Sequence, residues 1–532
     1  MSRVLASVFT LLFCVSGIAE EKRPNILFAF ADDWGRYASA YAKHEGPNSI
    51  NAVIHTPHFD SVARDGMLFK NAFVPAPSCT PCRSSVLSGS YFWQTGRAAI
   101  LQGAVWDENI PTFPLELEKA GYHIGYTNKV WSPGSPTNAP IGANRTRYMK
   151  AGGKFNRFSQ AATEMAKDIG NDAAMMKLFE EVRDNFRDFI TARPDDAPFF
   201  YWWGPTNTHR KWTKGSGQDL WGLNPDKLKG KLPSFLPDVP EVREDVNDYL
   251  GEVLAVDFGL GMLLEELEEL GELNNTIVVV SGDHGIPGMP RGKCNLYDYG
   301  TAVPLAIKWP SRIMSGRVVD DFVNLMDLAP TFLEAAGVDI PETMTAKSLV
   351  PIFSIDEDGL IDRERTHVVT GRERHVAKAR EGNLPYPQRA LRNRNFLYVR
   401  NYEPDRWPMG DPKGLNDAEY PEPTYEALRE NTFVAYPDLD ASPTKAWMVY
   451  HRGNESVREA YALGFGKFPA EELYDLRDDV DQVNNVIDDE RYAEVRARMA
   501  AELERILREQ KDPRVVESPV RYEGAPFTDV KK

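Results

Sequence analysis

The sequence predicts an α/β fold: a mixed, mostly parallel sheet flanked by helices, with a smaller C-terminal α+β subdomain carrying an antiparallel sheet. Three observations lead there. Short apolar runs rich in β-branched and aromatic residues recur along the first two thirds of the chain, the pattern of strands buried on both faces. Helical stretches alternate with them, which favours parallel strands covered by helices. Two runs stop abruptly in acidic turns, and in open α/β sheets sites form beyond the carboxyl ends of the strands.

Taken in order, residues 1–19 read as a cleaved secretory leader. Arg3 supplies the positive start, residues 4–15 an apolar stretch, and Gly17-Ile18-Ala19 a small-residue cleavage site. The mature chain is therefore expected to be secreted or periplasmic. Residues 24–31 form the first strand, ending in Asp32-Asp33-Trp34-Gly35, and residues 123–127 and 199–203 are two more. Residues 244–270 form a long amphipathic helix with Leu260, Leu263, Leu264, Leu267 and Leu270 on one face. Residues 276–281 are a strand that stops at Gly282-Asp283-His284-Gly285. Beyond about residue 365 the texture changes. Residues 389–401 read as an antiparallel strand pair, 402–446 as a Pro-, Asp- and Tyr-rich loop layer, and 489–509 as a polar terminal helix. This divides the chain into a leader (1–19), a catalytic α/β domain (20–365) and a C-terminal subdomain (366–532).

Composition narrows the function. The chain has 532 residues, 62 basic against 78 acidic, and a formal charge of −16, which argues against a dedicated nucleic-acid binder. Four cysteines exclude a disulfide-built scaffold. No second apolar run reaches the roughly 18 residues of a membrane span.

The sharpest local feature is Ser78-Cys79-Thr80-Pro81-Cys82-Arg83-Ser84-Ser85-Val86-Leu87-Ser88-Gly89. By itself C-x-x-C is a redox pair, half a zinc site or two incidental thiols; no second pair and no histidine cluster accompanies it, which disfavours zinc. The C-x-P-x-R pattern followed by Leu-Ser-Gly resembles the signature of the type I sulfatases of the alkaline phosphatase superfamily. Other strings of that family recur in order: Pro24-Asn25-Ile26 through Gly35, Thr56-Pro57-His58-Phe59-Asp60, Ser281-Gly282-Asp283-His284-Gly285 with one residue changed, and Glu472-Leu473-Tyr474-Asp475-Leu476. Within the family, Gly285-Ile286-Pro287, Asn295-Leu296-Tyr297, Gly300-Thr301-Ala302 and Thr208-His209-Arg210 resemble most the sulfamidases, which are heparan N-sulfatases.

The resemblance implies an alkaline phosphatase-like fold and hydrolysis of O- or N-sulfo groups from a sulfated saccharide. It implies that a maturation enzyme oxidises Cys79 to Cα-formylglycine, whose hydrate is the nucleophile. One hydroxyl of the gem-diol attacks sulfur, and the other later collapses to the aldehyde and expels sulfate, a route closed to an ordinary serine. Asp32, Asp33, Asp283 and His284 match the metal ligands; three carboxylates and one nitrogen suit a hard dication, and the family points to one Ca²⁺. Arg83 matches the residue that holds the nucleophile and metal carboxylates, facing back if a helix begins near Pro81. Lys129 and Lys293 match sulfate contacts, and His209 or Lys293 takes the general-acid role. One position departs: the family's histidine two residues after the lysine is Trp131 here. His375, Arg372 and Arg389 are candidate substrate contacts, in the most basic stretch of an acidic chain.

Three alternatives remain at this stage: a phosphonate monoester or phosphodiester hydrolase of the same superfamily, a non-catalytic glycan-binding protein, and a Cys79–Cys82 redox centre. The acidic balance also predicts the mode of recognition, a small, deep, positive pocket taking one sulfated terminus in place of a long basic groove.

Overall fold

The computed structural model describes residues 22–415 and 420–529; the leader expected at residues 1–19 lies outside them. The main sheet has seven strands: β1 (Asn25–Ala31), β2 (Met67–Phe73), β3 (His123–Asn128), β4 (Phe199–Gly204), β5 (Thr276–Gly282), β6 (Leu305–Lys308) and β7 (Arg317–Asn324), in the order β3-β4-β1-β5-β6-β2-β7. Only β6 runs antiparallel to its neighbours, β5 and β2. The sheet is the mixed, mostly parallel one the sequence predicts.

Strand alternation sorts the apolar runs onto two faces. Leu27, Ala29 and Ala31 of β1 join Tyr201, Trp203, Val278 and Val280 in one core. Ile26, Phe28 and Phe30 join Phe200, Trp202, Ile277 and Val279 in the other. The first core is covered by α2 (Asn171–Thr191) and α3 (Pro240–Glu269), the second by α1 (Cys79–Ser88) and the helix Leu328–Ala335. Helix α3 starts four residues before the expected 244, because Pro240 at its first turn has the fixed φ that suits helix entry and needs no N–H partner there.

The smaller sheet is wholly antiparallel, in the order β11-β10-β9-β8, from β8 (His367–Arg372), β9 (Gln388–Asn393), β10 (Phe396–Asn401) and β11 (Glu471–Asp475). The helix α4 (Ala493–Glu509) packs Met499, Leu503, Ile506 and Leu507 against Leu391, Phe396, Tyr398 and Leu473. The stretch 402–446 is not all loop: it contains the helix Tyr425–Glu430 and leads into Pro443–Tyr450. Among the described residues, no helix is long and apolar enough to cross a membrane.

Candidate active site

The carboxyl ends of β1, β3, β4 and β5 converge on one point. Asp32 and Asp33 follow β1, and Asp283 and His284 follow the adjacent β5. Asp33 holds a left-handed φ of 54°, which Asp tolerates better than most residues. Its N–H donates to Asp283 Oδ1 at 2.7 Å, and Tyr249 on α3 donates to its carbonyl at 2.9 Å. The two turns sit back to back only because residue 282 is glycine: a Cβ there would lie 2.0 Å from the Trp34 carbonyl oxygen.

Helix α1 delivers Cys79 from the other side. It starts at Cys79 itself, not at Pro81, so the proline occupies the third helical position, where a missing N–H still costs no intrahelical bond. Cys79 Sγ lies 3.4 Å from His284 Nε2 and 3.9 Å from Asp33 Oδ1. One turn on, the fully buried Arg83 spans both acidic turns: Nε donates to Asp283 Oδ2 at 2.8 Å and Nη2 to Asp32 Oδ1 at 3.1 Å. Its Nη1 donates to the carbonyls of Lys129 and Val130, each at 3.2 Å.

Two lysines complete the cluster. Lys129, just past β3, reaches Asp32 Oδ1 at 2.6 Å, and Lys293 lies 3.0 and 3.2 Å from the Asp33 oxygens. Burial lowers the Lys293 ammonium, but Asp33 and Asp440 more than offset this and hold it well above the ordinary lysine value, so it stays charged. Burial likewise raises Asp32, and Lys129 and Arg83 overcome it, keeping that carboxylate ionised. Burial pushes the Cys79 thiol well up, with Asp32 adding to the rise, so the unmodified side chain stays a thiol.

The donor set fits a hard dication. Three overlapping triplets, Asp33–Cys79–His284, Asp32–Asp33–His209 and Asp32–Cys79–Asp283, each place their ligand atoms within 4.8 Å of one another. Together they offer three carboxylates, the imidazoles of His284 and His209 and the sulfur of Cys79; the three carboxylates are the donors a calcium-type ion takes.

A cavity of about 610 Å³ opens over Asp32 and Lys129, lined also by Thr206, His209, Arg210 and Trp212. His209 Nδ1 faces the Arg210 carbonyl at 2.7 Å. A carbonyl only accepts, so Nδ1 carries the proton and Nε2 is the nitrogen free to act on a ligand. The loop holding His209 is pinned from α3: Arg210 makes a bidentate pair with Asp245 (2.8 and 2.9 Å), and Asn207 donates to Glu252 at 2.9 Å. Burial pushes the Glu252 carboxyl up to about 7 from an ordinary 4.5. The folded state then keeps a proton that the unfolded chain loses near 4.5. Glu252's contribution is fully present below pH 4.5 and is lost as pH rises through 7, about 3 kcal/mol at most. Glu252→Gln should remove that fall; urea unfolding of both proteins at pH 5 and 7.5 measures the difference.

Several expected residues stand elsewhere. Trp131 is buried behind α1, its indole N–H on Ser84 Oγ at 2.9 Å, so the histidine position of the family is here a packing position. His375 is buried against the residue before Cys79, Nδ1 2.8 Å from Ser78 Oγ, and burial pushes its imidazole down to about 3, leaving it neutral. Arg372 is spent on Asp438 (2.6 Å) and the Cys294 carbonyl (2.7 Å). Arg389 is enclosed by Asp512 (3.0 Å) and Glu373 (2.9 Å) beneath the smaller sheet, with no donor facing a ligand. Burial with a carboxylate partner, not exposure, explains why these two arginines stand in the basic stretch. Two site residues escape a reading of sequence, Tyr249, which looks like one more apolar position of α3, and Asp440, in a turn-rich string with no motif.

A family model described as "Sulfatase" matches residues 24–338. Among curated proteins, human N-sulphoglucosamine sulphohydrolase is 28% identical over 94% of this chain and 93% of its own length. An N-acetylglucosamine-6-O-sulfatase of Bacteroides thetaiotaomicron is 25% identical over 85% of this chain and 94% of its own. A protein solved with its substrate D-glucosamine-2-N,6-O-disulfate superposes with a TM-score of 0.61 at 19% identity, covering 92% of this chain and 99% of that one.

Proposed function

We infer the chemistry from one premise: the chain belongs to the sulfatase family and is a sulfuric ester hydrolase. We propose that it acts outside the cytoplasm on the O- or N-sulfo group of a sulfated saccharide, with Cys79 matured to Cα-formylglycine and one Ca²⁺ held by Asp32, Asp33, Asp283 and His284. The observation that carries this reading is the meeting of Cys79 with two acidic turns and Arg83 in a buried cluster at the sheet's carboxyl edge. When present, the hydrated aldehyde supplies the hydroxyl that attacks sulfur, and the metal polarises a sulfate oxygen.

The remaining work falls to side chains. Lys129 and Lys293, both charged and largely buried, neutralise the terminal sulfate oxygens where such contacts are stronger than in open water. Lys293, held charged by two carboxylates, is a poor proton donor. His209 therefore takes the general-acid role, with Nε2 the atom that relays a proton to the departing oxygen or nitrogen. Replacing His209 with Gln should lower turnover of a sulfated sugar by roughly 10²–10⁴-fold. Steady-state kinetics should show a much smaller loss with 4-nitrophenyl sulfate, whose leaving group needs no proton.

The reading as a whole is tested by mass spectrometry of the peptide containing Cys79, from a host with the maturation system. That measurement is paired with sulfate release from glucosamine 2-N-sulfate, glucosamine 6-O-sulfate, and chondroitin, fucose and galactose sulfates. Active enzyme carrying only the thiol would overturn it.

A further inference from the structure

Asp440 sets a carboxylate oxygen without a hydrogen bond beside Lys293. Its Oδ2 is buried without a hydrogen-bond partner, 3.4 Å from Lys293 Nζ, while 19% of the side chain stays exposed. Burial raises its carboxyl, but the charge of Lys293, with Arg210 adding to it, holds it ionised. Lys293 does not require it as a counter-charge, since both Asp33 oxygens already lie within 3.2 Å.

The loop around it is fixed on both sides. Asp438 accepts from Arg372 (2.6 Å), Arg380 (2.7 Å) and the Val376 N–H (3.1 Å). Ser442 donates to the Gly288 carbonyl at 2.7 Å, and the Lys445 ammonium donates to the carbonyls of Thr432, Tyr436 and Leu439 at 3.3, 3.2 and 2.8 Å. Such a loop holds Asp440 in place at the edge of the site. A carboxylate beside a bound sulfate is repulsive, and a buried acceptor left without a donor is costly. A ligand that brings a donor to it removes the second penalty and offsets the first.

We propose that Asp440 is a specificity-determining residue that accepts a hydrogen bond from a sugar hydroxyl next to the sulfo group. The inference rests on the sulfate-site reading above. It makes this site select a sulfated sugar over a bare sulfate, with the acceptor coming from the C-terminal part of the chain and the sulfate contacts from the main sheet.

The test is calorimetry on the full chain with calcium, produced without maturation so that binding is read without turnover. The probes are glucosamine 2-N-sulfate and inorganic sulfate. The unsubstituted chain should bind the sugar at least about tenfold more tightly than sulfate, and Asp440→Ala should weaken the sugar by about 10- to 100-fold, the range of a hydrogen bond to a charged group. Sulfate affinity should stay within about threefold, and Asp440→Asn, whose amide oxygen still accepts, should recover part of the loss. Equal weakening of sugar and sulfate, equal losses for Ala and Asn, or no preference for the sugar in the unsubstituted chain would overturn the proposal. Selective sugar binding without sulfate release by matured protein would leave it standing and count against the catalytic reading instead.

Discussion

Replacing Cys79 with serine should abolish sulfate release, by at least about 10³-fold and toward the 10⁶-fold cost of deleting a nucleophile elsewhere, while the fold stays intact. The substitution exchanges one sulfur for one oxygen at the first residue of α1, a position 3% exposed, with no change of shape that the surrounding core would feel. The serine hydroxyl would occupy the same place between His284 and Asp33. What it lacks is the second hydroxyl of a hydrated aldehyde, so an attack on sulfur has no route to release. Any residual activity should then appear as a single turnover without a steady state. Rapid-quench release of the desulfated sugar, with the sulfo group retained on the protein, alongside denaturant unfolding separates this from misfolding. Steady turnover above about one per cent of the original would move the nucleophile away from position 79.

The class of fold was legible because its strands are buried on both faces, so residues 24–31 and 276–281 read as unbroken apolar runs that end where chemistry starts. The same holds for the acidic turns and for Cys79, which sit at those ends. What the sequence hides is pairing over distance. Arg389 looks like a free cation until Asp512, 123 positions away, closes on it. Arg372 looks alike until Asp438, 66 positions away, does the same. Asp440 is the reverse case, an acid in a turn-rich string whose meaning comes from a lysine on a different loop. Trp131 shows a third kind of concealment, since a side chain facing a helix and one facing a cavity leave the same trace in sequence.

Arg83 is where stability and catalysis coincide, and its loss should be felt in both. The fully buried guanidinium, 5.0 Å from the Phe30 ring, holds Asp283, Asp32 and two backbone carbonyls. Removing one partner of such a buried network leaves the other charges uncompensated, at about 3–5 kcal/mol. Arg83→Ala should therefore lower the unfolding free energy by that amount in guanidinium titrations. Calcium should modulate the loss. With the ion bound, its charge partly replaces the guanidinium; with the ion chelated, three carboxylates face only Lys129 and Lys293. Chelation should thus cost the variant more stability than it costs the unsubstituted protein. Arg83→Lys keeps the charge but cannot fork between two turns that its parent bridges at 2.8 and 3.1 Å, so it should restore part of the stability and little of the turnover. Equal sensitivity to chelation in all three proteins would show that Arg83 and the cation are not balancing the same carboxylates.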